Sequence, residues 1–167
     1  DQRVRRGHER HRLGHRGGLL QIEQHHGLAA AHRIIARAAE PFRLDELSPF
    51  AEKLERFGLG GFGWGAAWVG GDGRLHSYRD IRSFRDDPGR EAVGVSETRS
   101  ALVHLRRPSK LSPLTVPDTQ PFDDPAGRFS FSHNGDLEHH ELHRARYREA
   151  GRLHGKADTE VGARWLE

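Results

Sequence analysis

The chain has no cysteine, no methionine and no long apolar run, and each absence removes a class of explanation. Without Cys its 167 residues hold no disulfide and no thiolate metal site, which fits the cytoplasmic location expected for it. No stretch of 18 apolar residues occurs, so no membrane span is expected. The charged start is not followed by the apolar core of a signal peptide. Without Met, the sequence as written does not open at a start codon. What is present suits one soluble domain with a core of useful size: 34% hydrophobic and 31% charged residues, with 20 Gly.

Charge is unevenly placed. Residues 1–40 hold eight Arg against Asp1, Glu9, Glu23 and Glu40, a net of +4. The whole chain carries +3, so residues 41–167 come to −1 by difference. The opening "DQRVRRGHERHRLGHRGG" has neither helical nor strand periodicity. A basic arm of this kind is one way to hold nucleic acid. This one lacks Lys and interleaved aromatics, and His8, His11 and His15 follow no standard ligand spacing. Nucleic acid is therefore not an expected partner, and residues 1–40 are expected to be disordered or non-native sequence.

Local patterns then predict the elements. "LAAAHRIIARAAE" (28–40) reads as a helix, with Ile34, Ile35 and Ala38 on one face. Leu47, Phe50, Leu54 and Phe57 recur at helical spacing over 44–58, with Gly58 as C-cap. Ala66–Val69 and Leu75–Tyr78 read as strands joined by a Gly-Gly-Asp-Gly turn, and Trp64 and Trp68 as core. "SALVHLRRPS" (100–109) is a strand stopped by Pro108, "KLSPLTVPDTQPFDDPAG" a long connector, and "GRFSFSHNG" a further strand. Helices are expected over 137–151 and from Asp158, a good N-cap, onward. Strand alternation puts His104 and Arg106 on one face and Leu105 and Arg107 on the other.

Two motifs invite chemical readings that their spacing does not support. The Gly-rich 58–65 stretch has no Gly-Lys-Ser/Thr ending, so it is not a phosphate loop. In "HHELH" (139–143), His139 and His143 would share a helical face, but the metalloprotease spacing is missed by one residue. A charged helix face is the expectation, with no metal and no cofactor.

Four segments occur in a set order: "GGFGWGAAW", "ALVHLRRPS", "TQPFDDPAGRFSFSHNGDL" and "GKADTEV". Together they resemble a class II glutamine amidotransferase domain, of the small stand-alone type within the N-terminal nucleophile hydrolases. The resemblance covers about residues 55–165 and implies an α+β fold with stacked antiparallel sheets flanked by helices, a four-layer αββα sandwich. It makes residues 41–167 a partial domain, incomplete at both ends. It also implies hydrolysis of the side-chain amide of glutamine or a γ-glutamyl amide, with ammonia released or passed to a synthase. In that family an N-terminal Cys is the nucleophile and its own amine the base. By the same resemblance Asn134 and the backbone N–H of Gly135 are the oxyanion hole. Arg106 would grip the substrate carboxylate and Asp158 its ammonium, with His104 beside Arg106 on the substrate side. Gln120 stands where the family has His. The nucleophile is missing: there is no Cys at all, and no Ser or Thr precedes Ser48. The chain as given is therefore expected to lack glutaminase activity. The other reading is a non-catalytic module that binds a glutamine-like ligand. Asn134-Gly135 as a plain turn, Arg106 as a structural cation and Asp158 as only a cap are the simpler alternatives.

Overall fold

The computed structural model describes residues 7–15, 18–26, 32–57, 61–107 and 113–167. Strands β1 (Gly7–His15), β2 (Gly18–His26) and β3 (His32–Arg43) come first. A 3₁₀ turn (Leu44–Leu47) leads into helix α1 (Ser48–Phe57), then β4 (Trp64–Val69), β5 (Leu75–Asp80), helix α2 (Gly89–Gly94) and β6 (Glu97–Leu105). A second 3₁₀ turn (Val116–Asp118) precedes β7 (Phe122–Asp123), β8 (Ser130–Phe131), helix α3 (Glu141–Glu149) and helix α4 (Asp158–Leu166). Among the described residues the architecture is α+β: an antiparallel six-stranded sheet in the order β1-β2-β3-β6-β4-β5, a two-stranded ribbon β7-β8, and four helices. With β1 and β5 as its edges, the large sheet is open and not a barrel.

The N-terminal forty residues differ from expectation. Residues 7–15 and 18–26 pair as a hairpin, and β3 joins that hairpin to β6, so the sheet runs through the boundary expected at residue 40. The stretch read as a helix over 28–40 is strand from His32 onward. Ala-rich helix propensity is worth only tenths of a kcal/mol per residue, and burial between two partner strands outweighs it. His32, Ile34 and Ala36 are buried in alternation with more exposed neighbours, the period of a strand. Between Arg37 and Phe42 the register shifts. Pro41, with no N–H to give to a ladder, falls in that irregular stretch.

The other elements follow their patterns. The 44–58 helix is divided into the 3₁₀ turn and α1; its expected cap, Gly58, lies outside the described residues, as does Pro108. Leu44, Leu47, Ala51 and Leu54 pack on Ile34, Ala36, Val103, Trp64 and Ala66 and cover one face of the sheet. Each fully buried Leu, Ile or Val among them contributes roughly 1.5–3 kcal/mol. On the same face Asp87, 1% exposed, accepts hydrogen bonds from the Trp64 indole (2.9 Å), the Tyr78 hydroxyl (2.7 Å) and the Gly89 N–H (2.9 Å). Burial and this bond push the Tyr78 hydroxyl up to about 12. Trp64 is thus a core residue with its polar edge satisfied.

The opposite face carries the second layer. Ser77 donates to Asp123 (2.5 Å), the Arg79 guanidinium donates to the Thr119 carbonyl (3.2 Å) and stacks 5.7 Å above Phe122, and Arg33 donates to the Ser132 carbonyl (2.9 Å). The expected "GRFSFSHNG" strand shortens to Ser130–Phe131. Helix α4 lies beyond the ribbon, where a Cβ on Gly162 would meet Leu137 Cδ1 at 2.6 Å and the Phe131 ring at 3.3 Å. Helix α3 begins only at Glu141, and His139 precedes it with φ 60°. His139 and His143 therefore do not share a helical face. No helix among the described residues is long and apolar enough to cross a membrane.

Candidate functional site

Register aligns four residues under the second layer. Arg33 of β3 lies opposite His104 of β6, His104 opposite Gly65 of β4, and Gly65 opposite Arg79 of β5. Antiparallel partners directly opposite one another share a face, so Arg33 and Arg106, two residues beyond His104, both border the imidazole. Gly65 is bare because the chain crosses it: a Cβ there would overlap the Gln120 carbonyl oxygen and come within 2.9 Å of Pro121 Cδ. The Gln120–Pro121 bond is cis.

Gln120 is what the crossing segment contributes. Its Oε1 accepts the His133 N–H at 2.7 Å, and its Nε2 donates to the His133 carbonyl at 3.0 Å and to Thr159 Oγ1 at 3.2 Å. One side-chain amide thus completes both main-chain bonds of His133 and ties it to the start of α4. Replacing Gln120 with Ala leaves those buried groups unpaired. We expect it to lower unfolding stability by about 2 kcal/mol, read as a reduced urea midpoint with an unchanged slope.

His104 is 1% exposed and Arg106 5% exposed. Burial, then the charges of Arg33, Arg106 and His32, push the His104 ring down to about 3, against a small opposing pull from the Asn134 side chain. The ring is therefore neutral at physiological pH. Asn134 faces the ring without completing a well-formed hydrogen bond: both ring nitrogens and Asn134 Oδ1 lack a partner among the described residues. Among the described residues Arg33 Nε, Arg106 Nη1, Ser132 Oγ and His133 Nδ1 are also buried without a partner. Buried polar groups in folded proteins are nearly all bonded, so open ones concentrated in one region are unusual.

Arg106 donates Nη2 to the Pro113 carbonyl at 2.5 Å and its N–H to the Gly63 carbonyl at 2.8 Å. Burial lowers the guanidinium, and the carboxylate that opposes this is Asp118. Asp118, 6% exposed, also accepts the Thr115 hydroxyl (2.7 Å) and the N–H groups of Lys156 and Ala157, so it pins the approach to α4 beside Arg106.

The expected site residues are thus partly gathered. His104, Arg106 and Asn134, from segments about thirty residues apart, meet around one imidazole. Asp158 does not touch Arg106 in any described contact. Nor is it the expected N-cap, a position that Ala157 holds; as the first residue of α4 it accepts the Leu137 N–H at 2.6 Å and the Thr159 N–H at 2.7 Å, which holds the loop after Asn134 against the helix. Gly135 is exposed with φ 121°, a conformation that demands glycine; crowding does not, since its nearest neighbour is His133 Cε1 at 3.5 Å. A described cavity of about 490 Å³ lies toward β5, lined by Arg79, Val116, Phe122, His154, Glu160 and Arg164 among others, and includes none of the expected site residues. Among the described residues no group of three His, Cys, Asp or Glu is placed to hold a metal ion.

Three functional candidates were not singled out from the sequence. Gln120 was visible only as a departure inside "TQPF", and Asp118 two residues before it carried no signal. Arg33 sat in a stretch read as helix, where its pairing with His104 has no counterpart. No protein-family model and no curated protein matches this chain.

Proposed function

We propose that the chain carries a glutamine-binding site of the class II amidotransferase kind, within an αββα arrangement of layers. The observation that supports it is the meeting of His104, Arg106 and Asn134 in one buried polar cluster, with donors and acceptors left open. The order of packing supports the fold reading in the same way: α1, the large sheet, the β7-β8 ribbon and α4 succeed one another. In this reading Arg106 takes the ligand carboxylate. Asn134 and the Gly135 N–H lie at the amide end, and Asp158 at the ammonium end. The ligand is glutamine or a γ-glutamyl amide. A complete enzyme of this kind would hydrolyse that amide, and an ammonia-accepting synthase would be its partner.

These residues supply grip and oxyanion donors but no thiol, since the chain contains no Cys. That favours a second form of the same reading, a module that binds the ligand without cleaving it. Calorimetry tests the shared premise: glutamine is expected to bind, and Arg106→Ala or Arg106→Lys to weaken it by about ten- to a hundredfold, the effect of losing a charged hydrogen bond. Glutamine binding unaffected by both variants would remove the premise. Incubating the chain with glutamine is expected to release no ammonia, and measured release would overturn the non-catalytic form.

A further inference from the structure

The cluster around His104 is charged in a way the site described so far does not use. Arg33 and Arg106 both border the ring, and of the two Arg33 acts on it more strongly. His104 is neutral, so it offsets neither cation. Asp118 acts electrostatically on Arg106 without a described ion pair between them, and among the described residues no carboxylate pairs with Arg33. Arg33 Nη1 reaches only the Ser132 carbonyl, a neutral acceptor, and its Nε is buried without one. Two guanidinium groups and one carboxylate leave a single positive charge partly out of water, which is costly until an anion arrives.

We propose that Arg33 is a second cation for the anionic end of the ligand. It shares the α-carboxylate with Arg106 and so restricts the site to amino acids whose carboxylate is free. This rests on the glutamine reading above and adds a specificity-determining residue to it. The geometry favours a carboxylate over a neutral group because the open donors at the two guanidinium groups flank a ring that supplies no charge. His104, held neutral, can take a hydrogen bond from the ligand or give one to it without repelling it.

The test compares L-glutamine with its α-carboxamide, glutaminamide, by calorimetry on the full chain, Arg33→Gln and Arg33→Lys. Unchanged far-UV circular dichroism and unfolding midpoints establish that each variant is folded. Arg33→Gln is expected to weaken glutamine by about ten- to a hundredfold and to leave the already weaker binding of glutaminamide within about twofold. Arg33→Lys should recover part of the glutamine affinity, since it keeps the charge and loses the fork. Equal weakening of both ligands, or no weakening of glutamine in Arg33→Gln, would overturn the assignment of Arg33 alone. Should the unaltered chain bind neither ligand, the glutamine reading itself falls and takes this inference with it. If Arg33→Gln does not fold, a drop in the glutamine-to-glutaminamide preference in Arg33→Lys supports the proposal, and an unchanged preference overturns it.

Discussion

Gly65→Val is expected to destabilise the protein by about 4 kcal/mol or more. The branched side chain would have to occupy space already held by the Gln120 carbonyl, Pro121 Cδ and the Tyr78 carbonyl. Two of these are main-chain oxygens, which cannot swing aside as a flexible side-chain tip can. Overpacking usually costs about 1–3 kcal/mol when side chains can adjust. Here relief requires lifting the crossing segment from the sheet, and with it the bonds from Gln120 to His133 and Thr159. An effect at the upper end of single-substitution costs follows. Chemical unfolding measures it, and Gly70→Val, at a turn where the nearest neighbours are the tips of His76 and Asp72, serves as the comparison. If Gly65→Val unfolds at the same denaturant concentration as the parent, the second layer does not cross β4 at that point.

The second large effect is on the pH dependence of stability. The folded protein holds His104 neutral down to about pH 3, whereas an unfolded His takes up its proton near pH 6.5. Between those values the unfolded chain binds one more proton than the folded one. Stability therefore falls as the pH drops through that window, by about 1.4 kcal/mol per pH unit from this group, and is unaffected by it above neutrality. Over the whole window the loss amounts to several kcal/mol. His104→Gln carries no titratable ring, so the difference between parent and variant in urea unfolding from pH 7.5 to pH 4 isolates the group from the other twelve His. The two curves are expected to converge as the pH falls. Parallel curves would mean that the ring takes up its proton in the fold at the same pH as in the unfolded chain.

Both effects arise from the same construction. A row of residues on the large sheet, Arg33–His104–Gly65–Arg79, is covered by a connector and a short ribbon. The cover removes water from an imidazole between two cations. Gly65 permits the close approach, Gln120 holds the cover in place, and the imidazole is neutral as a result. The exposed Gly135 and Asp158, the first residue of α4, stand at the margin of this arrangement, joined to it through Leu137 and Thr159.

Much of this was legible in the chain because it is encoded by neighbours in sequence. The alternation in "SALVHL" placed His104 and Arg106 on one side of a strand, and the turn Gly-Gly-Asp-Gly announced the β4-β5 hairpin. The apolar spacing of Leu47, Leu54 and their neighbours gave α1, and the run after Asp158 gave α4. What was missed is non-local. "HRIIARAA" satisfies a helical stripe and a strand alternation about equally. Which one forms depends on β2 and β6, far apart in the chain, offering an open edge on either side. Gln120 looked like a lost His until its amide was seen to bond the backbone of His133.

The order of side chains along β6 and the chain's lack of any thiol were determined by the sequence alone: periodicity and composition need no partner to be read. That Arg33 faces His104, that the imidazole stays uncharged, and that Gly65 must be glycine were decided only by the tertiary structure. Strand pairing and desolvation depend on which distant segments come to lie together, and no local pattern carries that information.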